Sequence, residues 1–404
     1  MLAFSLIACP ALAQVALLSS PLTQAENATA VDLFGKLKAQ PGNLFFSPSS
    51  ISTAMGMVFA GAKGDTAGEI AAALHLNLLS SSTSDLRSVF LAAETQQNAA
   101  NNTASAGFEL HEANAMWVAG NYPFNAAYIS GIQSSFGAAL KPTDFSNEPV
   151  ARGNINNWVA AQTNNKIQDL IGPGILSADT RMVLTNAIYF KSDWEKSFET
   201  SDTYKQMFHA APGTDVSVDM MHDTASYDLT IAAGVKILQV PYRFGATSLV
   251  VILPDDDAGL PAIEAGLRAA QLNTWLVGGQ NTLVALTLPK FTTSGAFDLD
   301  HVLMMLGINK AFRESQADLS DIANVPGHPL FVGSVIHQAY VDVDETGTEA
   351  AAATAVTMTA TAEAPLPVSI QPVPFVADHP FLYLIRNNHS GEILFMGRMA
   401  NPAE

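Results

Sequence analysis

His111-Glu112 begins the helix pattern of a zinc protease, in which a second His four residues after the first completes the metal pair. Position 115 is Ala, so the pair is not made. Asp342-Val-Asp-Glu-Thr-Gly347 sets oxygens at the first, third and fifth positions of a calcium loop and Gly at the sixth, but the twelfth position, which needs a bidentate carboxylate, is Ala353. No G-x-S-x-G elbow is present to expose a serine nucleophile. A Ser, a His and an Asp can converge from distant positions, yet nothing local argues for an enzyme, a metal site or a cofactor.

The failed calcium loop runs into a segment of another kind, Asp344-Glu-Thr-Gly-Thr-Glu-Ala-Ala-Ala-Ala-Thr-Ala-Val356, which carries few side chains able to hold one fixed shape. Gly347 offers the positive backbone angles of a sharp hinge. Extended, the run would point Thr348, Ala350, Ala352, Thr354, Val356 and Met358 to one face and Glu349, Ala351, Ala353, Ala355 and Thr357 to the other, so no charge need be buried. The same composition suits an Ala-rich helix or a solvated linker.

Periodicity indicates the elements that must position this segment. Ala30, Phe34 and Leu37 recur at helical spacing, as do Ile51, Ala54, Met55 and Val58 after Ser49 or Ser50 as cap, and Leu299, Val302, Leu303 and Leu306. Residues 181–190, 236–241, 249–253 and 284–288 read as strands. The mixture is that of an α+β domain. With 48% apolar residues there is enough for a large core, and no linker, charge block or repeat divides the 404 residues, so one domain is expected. No apolar run reaches the roughly 18 residues of a membrane span. The net charge of −18 argues against nucleic acid and anionic polysaccharide as partners.

Residues 1–13 read as an export signal: Met1 to Ala8 is apolar and Ala11-Leu-Ala13 before Gln14 is an A-x-A cleavage pattern, although the usual positive start is missing. Leu6-Ile-Ala-Cys9 also resembles a bacterial lipobox, in which Cys9 would be lipidated. The expectation is a secreted or periplasmic protein, with lipid anchoring through Cys9 as the variant. Cys9 is the only cysteine, so no intramolecular disulfide forms.

Two strand-like runs close the chain, Phe375-Val-Ala-Asp-His-Pro-Phe-Leu-Tyr-Leu-Ile385 and Glu392-Ile-Leu-Phe-Met-Gly-Arg-Met-Ala-Asn-Pro402. Upstream stand Asn43-Leu-Phe-Phe-Ser-Pro-Ser-Ser-Ile51 leading to Gly61-Ala-Lys-Gly-Asp-Thr66, and Asn154-Ile-Asn-Asn-Trp-Val159 with Lys166-Ile-Gln-Asp-Leu170. Between them lies Leu184-Thr-Asn-Ala-Ile-Tyr-Phe-Lys-Ser-Asp-Trp194 with Phe198. In this order, over residues 28–402, the motifs resemble those of the serpins, the serine protease inhibitor family, in their inhibitory form, with a bacterial source as a variant of that reading. The resemblance implies an α+β serpin fold with three β-sheets, about eight or nine helices, and an exposed reactive-centre loop at about residues 345–376.

It also implies a suicide substrate. A protease forms an acyl-enzyme at a bait residue, the freed loop inserts into the central sheet as an added strand, and deacylation stops because the catalytic groups are pulled apart. The hinge then comprises Glu345, Gly347, Thr348, Glu349, Ala350, Ala351, Ala352, Ala353 and Thr354, with neither Pro nor charge on its inward face. Family spacing from Gly347 puts the reactive bond at Thr361 and Ala362; the segment before Pro380 is longer than usual, which leaves Met358, Ala360 and Glu363 as alternatives. Ser47, Ser50, Asn186 and His337 match the polar cluster that controls sheet opening, Trp194 the Trp at the top of the sheet, and Glu345 and Lys290 a bridging pair. No Lys or Arg occurs between Arg313 and Arg386, so a trypsin-type pocket finds no cation, whereas elastase-like and subtilisin-like serine proteases fit. A cysteine protease stays open as target. Residues 76–102 hold only Arg87 as a basic side chain, so heparin activation is not expected. A monomer is the default, and the alternative function is a non-inhibitory serpin: chaperone, carrier or decoy substrate.

Overall fold

The computed structural model describes residues 20–80, 86–101, 107–120, 122–348 and 371–404. The export-signal segment with Cys9, the hinge residues Glu349, Ala350, Ala351, Ala352, Ala353 and Thr354, and the bait candidates Met358, Ala360, Thr361, Ala362 and Glu363 lie outside the described residues.

Pro at the first helical position and a serine before it start the first two long helices, because the ring presets φ and the hydroxyl takes up an orphan N–H. Ser20 caps α1 (Pro21–Leu37) by accepting from the Thr23 N–H. After β1 (Leu44–Phe46), Ser47 caps α2 (Pro48–Gly61) through the Ser50 N–H. The cap is therefore neither Ser49 nor Ser50: Pro48 takes the first helical position and moves the start two residues upstream.

Helices α3 (Gly64–Ala73) and α4 (Leu86–Asn101) precede β2 (Glu109–Ala119), α5 (Ala126–Phe136), β3 (Ala139–Thr143) and α6 (Glu148–Gln162). A strand-rich stretch follows: β4 (Met182–Asp193), β5 (Tyr204–Ala211), β6 (Thr214–Ala232), β7 (Val235–Pro241) and β8 (Thr247–Pro254). Helices α7 (Leu260–Gly266) and α8 (Ala269–Val277) lead to β9 (Gln280–Pro289), β10 (Phe291–Asp298) and α9 (Asp300–Met305). The chain closes with β11 (Ser334–Val343), β12 (Gly347–Thr348), β13 (Val373–Val376), β14 (Phe381–Asn387) and β15 (Ile393–Met399).

The central sheet has six strands in the order β10-β11-β12-β4-β2-β3. The other nine strands form one hydrogen-bonded system in which β6 belongs to two limbs: β1-β15-β14-β8-β7-β6 on one side, and β5, β9 and β13 gathered around it on the other. With the central sheet these two limbs give the three-sheet architecture. Each face of the central sheet has its own cover. Ile188, Phe190 and Val341 point inward against Val251, Tyr383 and Phe395 of the second system. On the outer face Ala113, Ala115 and Ala187 meet Ile155 and Val159 of α6. From Met182 to Phe190 β4 is buried without a break, as a strand covered on both faces requires.

Candidate functional site

One transverse row of the central sheet is polar where its neighbours are apolar. Register sets Phe297 of β10 beside His337 of β11, His337 beside Asn186 of β4, and Asn186 beside Asn114 of β2. The N-terminus of α2 closes on this row from beneath. The Ser47 N–H donates to His337 Nε2 at 3.1 Å, and Ser47 Oγ donates to the Leu394 carbonyl at 2.6 Å. Ser50 Oγ donates to Asn114 Oδ1 at 3.1 Å, while the Asn186 amide donates to the Ser50 carbonyl at 2.6 Å.

His337 thus stands between one donor and one acceptor. Its Nδ1 donates to Asn186 Oδ1 and its Nε2 accepts from Ser47, which defines a neutral ring with the proton on Nδ1. Full burial penalises the cation and pushes the imidazole down to about 3. The four residues singled out from sequence, Ser47, Ser50, Asn186 and His337, form one network together with Asn114, which sequence reasoning missed. The available signal was a lone amide in the otherwise apolar run Ala113-Asn-Ala-Met-Trp-Val118.

Through this row the strands β11 and β4 pair in parallel, from Ser334 with Val183 up to Tyr340 with Tyr189. Above Tyr189 and Tyr340 they part. Into the gap β12 enters antiparallel to both: Gly347 pairs with Asp193, and Thr348 with Ser192 on one side and Val343 on the other. Asp344 makes the turn, its Oδ1 accepting from the Thr346 and Gly347 N–H groups at 2.8 and 3.2 Å.

Gly347 does not take the left-handed angle expected of it from sequence; it is absent from the positive-φ glycines. Its lack of a side chain matters for another reason: a Cβ there would lie 2.2 Å from the Ser192 carbonyl oxygen. The requirement is close strand approach, not hinge geometry.

Trp194 holds the turn as well as packing beside it. Its backbone N–H donates to Thr346 O at 2.9 Å and its indole Nε1–H to Asp344 O at 2.8 Å, while the Phe198 N–H donates to Glu345 O at 2.8 Å. Three successive carbonyls of the turn are thereby satisfied from one neighbouring segment. The indole stacks on Tyr242 with centroids 4.4 Å apart, and the Tyr242 hydroxyl shares a 2.5 Å hydrogen bond with Thr348 Oγ1. Tyr242 was not legible in the sequence; no local pattern marks it.

Lys290 Nζ lies 2.6 Å from Glu345 Oε2. Burial pushes the Glu345 carboxyl up, but the bonds it accepts from Lys290 and its own backbone outweigh this and hold it below the usual range. Lys290 moves up, since pairing with Glu345 exceeds its partial desolvation.

The chain that makes this arrangement, a six-stranded sheet with its seam parted at one end around two residues of an incoming strand, is similar to known proteins over nearly its whole length. A family profile described as serpin (serine protease inhibitor) matches residues 24–402. Leukocyte elastase inhibitor A of Rattus norvegicus is 36% identical over 394 residues, which cover 94% of this chain and 99% of that protein. A highly specific serpin of the insect Tenebrio molitor is similar in structure, with a TM-score of 0.82 at 31% identity over 94% of this chain and 98% of that one. Human thyroxine-binding globulin in complex with thyroxine is similar too, with a TM-score of 0.84 at 29% identity over 95% and 100% of the two chains. The chain belongs to the serpin family. Membership sets it among protease inhibitors rather than among enzymes.

Proposed function

We propose that this serpin is a suicide-substrate inhibitor of elastase-like or subtilisin-like serine proteases. The observation that carries the reading is the parted seam: Gly347 and Thr348 pair as a strand between β4 and β11, and the seam is closed below them. In the proposed reaction the protease serine oxygen attacks the carbonyl carbon of Thr361. The bond to Ala362 breaks, its nitrogen leaves with a proton from the protease base, and an ester remains. Extension of β12 down the seam would carry that ester away from the groups that hydrolyse it. The roles of Ser47, Ser50, Asn186 and His337 in resisting seam opening, and of Trp194, Glu345 and Lys290 in holding its upper end, belong to this proposal.

The acidic loop without Lys or Arg supports exclusion of trypsin-type enzymes, and the scarcity of basic side chains supports action without heparin, as a monomer. Export with removal of residues 1–13 is part of the same reading; sequencing the mature amino terminus tests it, with Gln14 expected, and Met1 or lipidated Cys9 against it.

The test mixes the purified protein with pancreatic elastase, subtilisin, chymotrypsin and trypsin on denaturing gels. A resistant band near the summed masses with elastase or subtilisin, and a released fragment beginning at Ala362, are expected. Loop cleavage with no such band across all four sinks the inhibitor reading. It would favour the second one, a carrier like thyroxine-binding globulin, which shares the fold and is seen with a bound small molecule.

A further inference from the structure

The downstream side of the loop is anchored by β13, a short strand at the edge of its sheet. Among the described residues it pairs only with β9, from Val373 with Val284 to Val376 with Thr287, and of its four side chains only Phe375 is buried. Beyond β13 the chain turns a corner through Asp378 and His379 before β14 enters the core. Backbone straps hold that corner: the Ala377 N–H donates to Thr287 O at 2.9 Å, and the His209 N–H of β5 to Asp378 O at 2.7 Å.

His379 is the buried side chain at the corner, and both of its ring nitrogens face acceptors. Nδ1 lies 2.9 Å from Asp378 Oδ1 and 3.6 Å from Asp257 Oδ1; Nε2 lies 2.9 Å from the Pro254 carbonyl at the end of β8. A neutral ring carries one proton and would set a lone pair against an oxygen lone pair at the other nitrogen. Only the imidazolium satisfies both.

We propose that His379 is a pH-sensitive clamp, an imidazolium that fastens the downstream anchor of the loop to β8 and loosens when it loses its proton. The groups facing it come from four segments: Asp378 beside it, Asp257 from the β8–α7 connection, His209 of β5, and Asp215 of β6, which is 2.8 Å from His209. With both rings protonated these five groups carry one net negative charge; with both neutral they carry three, so proton loss adds repulsion to a lost hydrogen bond. Burial pulls the His379 imidazole down, but its bonds to Asp378 and the Pro254 carbonyl and the two aspartate charges outweigh that and raise it above its ordinary 6.5. His209 is raised as well, chiefly by its bond to Asp215. The stabilisation from His379 is accordingly complete below about pH 6.5 and is lost as pH rises through its higher midpoint in the folded protein. The clamp is a property of the fold and stands whether or not the loop traps a protease.

The test uses the full, uncleaved chain. Imidazole resonances are titrated by NMR, and amide exchange of residues 373–379 is followed from pH 6 to 9 as protection factors corrected for intrinsic rates. The wild type is expected to show a His379 midpoint above 6.5 and a loss of protection that tracks that midpoint as pH rises. In His379→Gln the pH dependence should be absent. In Asp257→Asn, which alters an exposed loop residue and so leaves the core untouched, the His379 midpoint and the pH dependence should both fall. His209→Gln should keep the pH dependence. A His379 midpoint at or below 6.5, an equal loss of protection in every variant, or a loss that disappears only in His209→Gln would each overturn the proposal.

Discussion

Two buried histidines bracket the loop, and they hold the fold in opposite charge states. His337 lies under the upstream seam between a donor, the Ser47 N–H, and an acceptor, Asn186 Oδ1, and is neutral. His379 lies at the downstream corner between two sets of acceptors and is cationic. Burial is severe at both sites, so burial alone does not decide the protonation state. The partners decide it: with a backbone N–H on one side, desolvation wins; with carboxylates close by, their charges win. The folded chain therefore keeps both locks only between about pH 3, set by His337, and a limit above 6.5, set by His379.

The strongest way to break the comparison is to spoil the seam itself. Thr348→Arg would bury a charge without a partner at a fully enclosed position between β4 and β11. Such burial costs about 3–5 kcal/mol, so trapped complex should fall more than a hundredfold on gels while loop cleavage persists. The gain in heat stability expected of a wild-type chain after cleavage should vanish with it. The downstream corner should be indifferent to this change.

Asn186→Ala removes the residue that links β4 to β11, β2 and α2. It would leave the His337 Nδ1–H without its acceptor, at about 1–3 kcal/mol for the buried group left unpaired. A lower denaturation midpoint and faster seam opening by hydrogen exchange at residues 183–189 are expected. An unchanged midpoint would mean that the row is not under load.

Acid sharpens the contrast. Because folding depresses His337, the unfolded chain binds its proton first, so stability is full above pH 6.5 and is lost towards pH 3 at about 1.4 kcal/mol per unit. Two other carboxyls act with the opposite sign. Burial and neighbouring glutamates push Glu94 up to about 8, and burial with Glu392 pushes Glu112 up to about 7. These groups stabilise the fold in acid and lose that contribution as pH rises from about 4.5 through their raised midpoints. The difference between wild type and His337→Gln isolates the histidine. That difference should shrink steadily from pH 6.5 to 4.5, and a flat difference would contradict the neutral assignment.

Lys290→Ala should matter least. The lysine is about a third exposed, and a pair of this kind contributes about 1 kcal/mol or less. The effect on the unfolding midpoint should be small and should disappear in 1 M salt, where screening is nearly complete at this separation.

Much of this was legible in the chain because it depends on local pattern. Apolar spacing located α1, α2 and α9 and the strands β4, β7, β8 and β9, and the match of Ser47, Ser50, Asn186 and His337 to the polar cluster of the serpins anticipated their meeting. Other features had no local signature. Tyr242 joins the site through a stack on Trp194 and a hydroxyl bond to Thr348, across 106 residues of sequence. The close approach of Gly347 to Ser192, a residue more than 150 positions upstream, had no local sign either.

By itself the sequence determined the family, the α+β class, the run of small residues after Glu349 and the lack of Lys or Arg between Arg313 and Arg386, because these follow from residue type and order. Tertiary structure alone decided where the seam parts, which residue approaches too closely for a Cβ, and the charge on each buried histidine. Among the partners that settle protonation, Ser47 lies 290 residues from His337 and Pro254 lies 125 residues from His379. A proton's free energy is set by the donors and acceptors within a few ångströms, and only the folded chain brings those together.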